Sequence, residues 1–171
     1  NQLDALLQLS VIAWGLSDMD QALAHINQAL SQNAMLPFAY YMKGKIYLDL
    51  KDTSRAVSSF QTSIEVDADY YDGYIKLGEL YATVNSPLAM EYYNRAIELQ
   101  PNNMEGLYNK SVYLQKIEQY DATYPLYEQM LSIDSNAYFA HYNRGYNLLV
   151  TDSSYTLAIE AFQNALEIYP Y

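Results

Sequence analysis

The side chains of this sequence that could hold a metal or move a proton are few and badly placed for it. Two histidines are present, His25 and His141, and they lie far apart, so the i, i+4 pair of a helical metal site cannot form. His141 is expected to be a half-buried packing residue and His25 a surface one. With no cysteine in the chain, disulfides, thiolate ligands and cysteine nucleophiles are excluded. The carboxylates are numerous but scattered, with no base, nucleophile and orienting group in conjunction. Six glycines form neither a phosphate loop nor a dinucleotide fingerprint. Asn109-Lys110-Ser111 matches a glycosylation acceptor, but inside a helical stretch the match reads as accidental. The expectation is a chain that is not an enzyme and has no catalytic residues, metal or cofactor.

What the chain has in abundance is contact chemistry. It carries 20 tyrosines, and 15% of its residues are aromatic. Tyrosine offers a large contact area at low entropic cost and keeps a hydroxyl for hydrogen bonding. Twenty acidic against nine basic residues give a formal charge of −11. That balance repels phosphate backbones and anionic lipid, which are bound mainly through Lys and Arg. Nucleic acid is therefore not an expected partner, and a neutral or basic protein or peptide is favoured. No apolar run reaches the ~18 residues that membrane insertion requires. The composition is that of a folded chain, and cytoplasmic and exported locations are equally compatible with it. A start at Asn1 leaves room for a leader or a further domain upstream.

The elements that must position these side chains repeat. Ala22, Ala56, Ala89, Thr123 and Ala158 recur at intervals of 34, 33, 34 and 35 residues, each followed four residues on by Ile26, Phe60, Tyr93, Tyr127 or Phe162. A second series, Ser10, Gly44, Gly78, Ser111 and Gly145, keeps step upstream. A fixed period in this range marks stacked units, and each unit contains two amphipathic stretches of helical length. Asp18 or Ser17, Asp52 or Thr53, Ser86-Pro87 and Ser153 or Ser154 supply starts for the second helix of a pair. In the fourth unit an interior Pro125 would cost about 3 kcal/mol, so Asp121 is expected to cap that helix and put Pro125 in its first turn. Small residues in both series let two helices approach closely, with the aromatic filling the space beside them.

These residues resemble the tetratricopeptide repeat. The third unit carries most of the pattern in Tyr74, Leu77-Gly78, Tyr81, Ala89, Tyr93, Ala96 and Pro101. The second reads Tyr40, Gly44, Tyr47, Ala56, Phe60 and Ser63. The resemblance covers units 3-36, 37-70, 71-103, 104-137 and 138-171, expected to form one domain over 1-171. Units one and four depart from the pattern at Ser10, Ala13, Ser111, Thr123 and Met130, and irregular packing is expected there. The resemblance implies an all-α fold, a right-handed α-α superhelix of about five repeats. Its implied role is a scaffold for protein-protein interaction that holds a peptide segment or partner protein in a concave groove lined by the first helices.

Helical periodicity then selects the lining residues. The stripe contains Leu7, Val11 and Trp14, then Phe38, Tyr41, Lys45 and Leu48, then Asp72, Ile75, Glu79 and Ala82. It continues through Glu105, Tyr108, Val112 and Gln115 to Phe139, Tyr142, Tyr146 and Leu149. Phe38, Tyr41, Lys45, Lys76, Tyr108, Phe139, Tyr142 and Tyr146 are the candidate partner-binding residues. Asn109 and Asn143, in equivalent places of adjacent units, join them, because stacked asparagines grip a bound peptide backbone in some members of the family. The alternative for Tyr41, Tyr108 and Tyr142 is inherited scaffold. The Lys, Arg and Asn cluster with which chaperone-binding members clamp a terminal carboxylate is absent. A rival reading is self-assembly into a homo-oligomer. It rests on the last unit, which ends at Pro170-Tyr171 with Tyr155, Ile159, Phe162 and Leu166 expected to be partly uncovered, so that either the natural chain continues or another molecule packs there.

Overall fold

The computed structural model describes residues 2–151 and 154–170, and Ser153 and Tyr171 lie outside them. Among the described residues there are ten α-helices and no strand. They are α1 (Gln2–Gly15), α2 (Met19–Gln32), α3 (Pro37–Asp49), α4 (Thr53–Val66), α5 (Tyr71–Thr83), α6 (Leu88–Leu99), α7 (Met104–Lys116), α8 (Tyr124–Ile133), α9 (Tyr138–Val150) and α10 (Tyr155–Ile168). Their order follows the five predicted pairs. By backbone proximity the chain divides into two compact units, 1–80 and 81–171.

The turn inside each of the first four pairs is built by backbone geometry that the sequence hides. Ser17, Lys51, Asn85 and Glu118 all adopt a left-handed conformation, with φ of 62°, 62°, 53° and 61°. In each case the next amide closes a six-residue loop back into the first helix: Asp18 to Ala13 at 2.9 Å, Asp52 to Tyr47 at 2.8 Å, Ser86 to Tyr81 at 3.0 Å and Gln119 to Leu114 at 2.8 Å. This is the Schellman arrangement, which ordinarily uses glycine because a Cβ is strained there. Asp18 and Asp52 serve twice, since their carboxylates also accept the amides of Gln21 and Arg55 at the start of the second helix. Backbone and guanidinium donors of Arg55 hold the Asp52 carboxyl below its ordinary pKa. Lys51→Gly and Glu118→Gly are expected to raise stability by about 0.5–1 kcal/mol each by removing the Cβ strain. Urea unfolding followed by circular dichroism measures this.

The remaining caps sort the sequence expectations. Ser154 caps α10 through the Leu157 amide. At α6 the helix opens at Pro87, with Ser86 Oγ 3.4 Å from the Leu88 amide. Asp121 does not cap the fourth unit's second helix. It lies inside a 3-10 turn over Tyr120–Thr123, and α8 follows directly with Pro125 in its first turn. The proline is accommodated as expected, but by the tighter turn and not by a carboxylate cap.

In the unit over 1–80, buried Ala13, Ala22, Ile26, Ala39, Met42 and Ile46 form the core, with Leu23, Leu30 and Phe38 among the residues packed on it. A Cβ built on Gly44 would fall 2.6 Å from the ring of Phe60, and one on Gly73 would fall 2.6 Å from both Ile64 Cγ2 and Ser63 Oγ. These glycines are required by helix contact, since no real Cβ occupies that space. In the unit over 81–171, Leu107, Leu114, Leu126, Tyr127, Met130, Ala137 and Ala140 form the core.

Unit four departs from the others in the 3-10 turn that opens its second helix, while the glycine places of units one and four are filled by serines bonded within their own helices. Ser10 Oγ donates to Leu7 O at 2.7 Å, and Ser111 Oγ to Tyr108 O at 2.8 Å. A hydroxyl that donates to its own helix leaves no orphaned polar group, so serine takes the glycine place at little cost.

Candidate functional site

In the unit over 1–80, the predicted stripe is largely occupied by its own neighbours. Tyr41 lies 5.7 Å from the Phe60 ring, 5.8 Å from Tyr70 and 6.5 Å from Phe38. Phe38 and Tyr41 are half-buried against the core. Lys45 Nζ sits 4.1 Å over the Trp14 ring, and the Trp14 indole donates to Asp49 Oδ2 at 2.6 Å. Burial first, and then Lys76, push the Lys45 pKa down, against the opposing pull of Asp49 and Asp72. Lys76 pairs with Glu79 at 2.7 Å. Both lysines are thus held by local partners. Ile75, expected on the stripe, is buried.

The unit over 81–171 is more open. Tyr108, Val112, Tyr142, Tyr146 and Leu149 are all exposed, Tyr142 to 53% of its surface. They stand at three- and four-residue intervals on α7 and α9, so each helix presents one continuous apolar face. The Tyr108 and Phe139 rings meet edge to face at 5.3 Å, and Tyr138 meets Phe139 in the same way at 5.8 Å. Around them lies a cleft of about 280 Å³ lined by Met104, Glu105, Tyr108, Tyr138 and Phe139. Tyr138 and Met104 were not singled out by the stripe, since both sit seven residues before the small residue of their unit, just beyond its expected edge.

The two asparagines differ from the peptide-gripping expectation in one respect. Asn143 Nδ2 donates to Phe139 O of its own helix at 2.8 Å, so one amide proton is already engaged. Asn109 is half-buried on α7. His141 takes the role of Tyr74: the Tyr74 hydroxyl donates to Ala68 O at 3.1 Å, and His141 Nε2 lies 3.3 Å from Ser135 O, the carbonyl six residues back in each case. Its packing role is as expected. His25 is half-buried, not fully at the surface. No group of three or more metal-ligating side chains occurs among the described residues.

Beneath α9, Asn147 is fully buried and ties α9 to α7 and α8. Its Oδ1 accepts from Gln115 Nε2 at 2.6 Å, and its Nδ2 donates to Thr123 Oγ1 at 2.5 Å and lies 3.5 Å from the Tyr127 hydroxyl. This network fixes α9, and with it Tyr142 and Tyr146, on α7 and α8. A polar residue at a place where Ile46 stands in the second unit was its only sequence signal.

Comparison with known proteins agrees with this repeat geometry. The tetratricopeptide repeat profile matches residues 39–70 and 71–103, and a second profile of the same repeat matches 92–123. The chain belongs to the tetratricopeptide repeat family. This tetratricopeptide chain is similar in fold to YrrB, a TPR protein with an unusual peptide-binding site, with TM-score 0.77 and 22% identity over 96% of this chain and 85% of that one. It is also similar to MamA, with TM-score 0.82 and 19% identity over 98% of this chain and 91% of that one. Its all-α helical-repeat fold is thereby shown. In sequence it is 23% identical over 131 residues to anaphase-promoting complex subunit 3 of Schizosaccharomyces pombe, covering 76% of this chain and 20% of that protein. Human protein O-mannosyl-transferase TMTC3 is also 23% identical over 131 residues, covering 72% of this chain and 14% of TMTC3. The chain therefore spans a fifth or less of the curated relatives it matches. No described helix is long and apolar enough to cross a membrane. As a tetratricopeptide fold it is of the kind that generally serves as a non-catalytic interaction module.

Proposed function

We propose that the chain binds an extended peptide segment of a partner protein on the aromatic face of α7 and α9. The observation that carries this reading is the exposure of Tyr108, Val112, Tyr142, Tyr146 and Leu149 beside the Tyr108–Phe139–Tyr138 cleft. Contiguous exposed apolar surface of this kind is unusual for a residue set with no partner. Tyr108, Phe139, Tyr142 and Tyr146 are the anchors. Asn143 contributes through the rest of its amide, and Asn109 lines the same helix face. Phe38, Tyr41, Lys45 and Lys76 play a lesser part, because their own neighbours already engage them. The five repeats act as one domain in this reading. A neutral or basic, apolar peptide suits a chain of charge −11 with Glu105 at the rim of the cleft. The precedent for a peptide ligand is YrrB, whose fold is similar.

Peptides selected from a displayed random library against the intact chain test the proposal. Tyr108→Ala together with Tyr142→Ala is expected to weaken the selected peptides by at least tenfold, about 1.4 kcal/mol or more, with helical content unchanged. Undiminished binding by the double variant would place the site elsewhere.

A second reading, self-association through the terminal helices, is favoured by a different observation. Leu9 and Ile12 on α1, Leu16 in the turn after it, and Tyr155, Ile159 and Leu166 on α10 are exposed apolar side chains.

A further inference from the structure

Within the unit over 1–80, an aromatic face and a carboxylate together hold a cation in two places. Lys45 Nζ sits 4.1 Å over the Trp14 ring and 5.7 Å over the Tyr41 ring, and the Asp49 carboxylate accepts from the same Trp14 indole at 2.6 Å. The Arg55 guanidinium lies 4.9 Å over the Tyr47 ring, while its Nε donates to Asp52 Oδ2 at 2.6 Å. The physical reason is common to both. A ring face carries the negative lobe of the aromatic quadrupole, a carboxylate adds a full charge, and the aliphatic stem of the basic residue covers apolar surface on the way.

The cleft between α7 and α9 has the same two components and no cation of its own. Tyr108 and Tyr138 both stand nearly at right angles to Phe139, with interplanar angles of 82° and 84°, and Met104 and Glu105 complete the lining. None of the chain's nine basic residues lines it. Glu105 is exposed in the first turn of α7, and its backbone amide donates to Asn103 Oδ1 at 3.0 Å. Its carboxylate has no hydrogen bond or ion pair among the described residues. An aliphatic ligand side chain would fill the cleft but leave that carboxylate partly desolvated and unpaired, and an acidic one would be repelled by it. A basic side chain suits both components, with its stem along Met104 and its charged end between ring and carboxylate.

We infer that the Tyr108–Tyr138–Phe139 cleft holds an arginine or lysine side chain of the bound peptide, with Glu105 as its counter-ion. The inference rests on the peptide-binding reading and names the residue class that reading leaves open. Arginine is favoured, because a planar guanidinium stacks on a ring while giving two N–H groups to one carboxylate. Glu105 is then a specificity-determining residue, and Tyr138 joins Tyr108 and Phe139 as a wall of its seat.

Peptides selected on the intact chain from a displayed random library supply the probes, and those weakened at least tenfold by Tyr108→Ala with Tyr142→Ala are the relevant ones. They should share arginine or lysine at one fixed position. Replacing that residue by its neutral analogue, citrulline for arginine or acetyl-lysine for lysine, should weaken binding about tenfold. Glu105→Gln, isosteric and at an exposed position, should weaken the charged peptide about threefold and leave the neutral analogue unchanged. Added salt should likewise weaken the charged peptide more than the neutral one. If no selected peptide depends on Tyr108 and Tyr142, the peptide-binding reading falls and this inference with it. If peptides depend on them but share no basic position, or if Glu105→Gln weakens charged and neutral peptides alike, peptide binding on α7 and α9 stands and the cation seat is overturned.

Discussion

Phe60→Ala is expected to lower the free energy of unfolding by about 3–5 kcal/mol, the range for truncating a fully buried aromatic. Phe60 has no exposed surface, and its ring occupies the space that a side chain at Gly44 would otherwise take, while the ring also meets Tyr41 at 5.7 Å. The same geometry makes the pair non-additive. Gly44→Ala alone should overpack the contact and cost roughly 1–3 kcal/mol, even though alanine is the better helix former by about 1 kcal/mol. In the Phe60→Ala background the clash is gone, so Gly44→Ala should become stabilising. Urea unfolding with Trp14 fluorescence and circular dichroism reads both ends of this cycle, Trp14 being the one tryptophan and lying in the same compact unit. If Gly44→Ala costs as much in the Phe60→Ala background as it does with Phe60 in place, the two positions do not share the space described.

The pairing of small residue and aromatic was legible in the sequence because it repeats, and repetition converts weak local signals into a strong one. Gly44 with Phe60 and Gly145 with Phe162 stand as the period required. The turns were only half legible. Asp18 and Asp52 announce a helix start, but the left-handed residues before them are Ser17 and Lys51, not glycine, and nothing in those side chains predicts the conformation. Backbone hydrogen bonds determine it, so it leaves no compositional trace. On α7 and α9 the stripe drawn from periodicity falls on exposed side chains, Tyr108 and Tyr142 among them. The pairing of Lys76 with Glu79 is an i, i+3 contact within α5 and was within reach of the sequence, whereas the seat of Lys45 over the Trp14 ring joins α3 to α1 and was not. Trp14 belongs to a different helix, and a one-dimensional pattern weighs each helix by itself. A further small-residue series, Ala39, Gly73, Gly106 and Ala140, lies buried five residues before Gly44, Gly78, Ser111 and Gly145 and was present in the letters all along. Its meaning depends on the contact between successive pairs, which a pattern built inside single repeats does not contain.

Asn147 is where that blindness matters most. Truncating it to alanine is expected to cost about 2–3 kcal/mol, from the cavity left and from the hydrogen bonds lost by Gln115 and Thr123 in a buried setting. The place belongs to an apolar residue in the second unit, Ile46, so a helix-packing argument by itself would expect a hydrophobic substitution to help. The network predicts the reverse, because an apolar side chain here removes an acceptor and a donor while their partners stay behind. Thr123→Val should cost less, about 1–2 kcal/mol, since it preserves shape and Asn147 keeps its bond to Gln115. The two substitutions act on the same bond, so the double variant should cost less than their sum by about 1 kcal/mol. Strict additivity, measured by urea denaturation of the four proteins in the cycle, would mean that Asn147 merely fills space. A positive coupling would instead identify what holds the open aromatic face in place. Asn147 follows Tyr146 directly and stands five residues after Tyr142, and its three partners lie on α7, on α8 and in the turn that leads into α8. A binding face that must be ordered before it meets a peptide spends less of its contact energy on ordering afterwards. That gives a physical reason for a buried polar residue in α9 at a position where its counterpart in α3 is isoleucine.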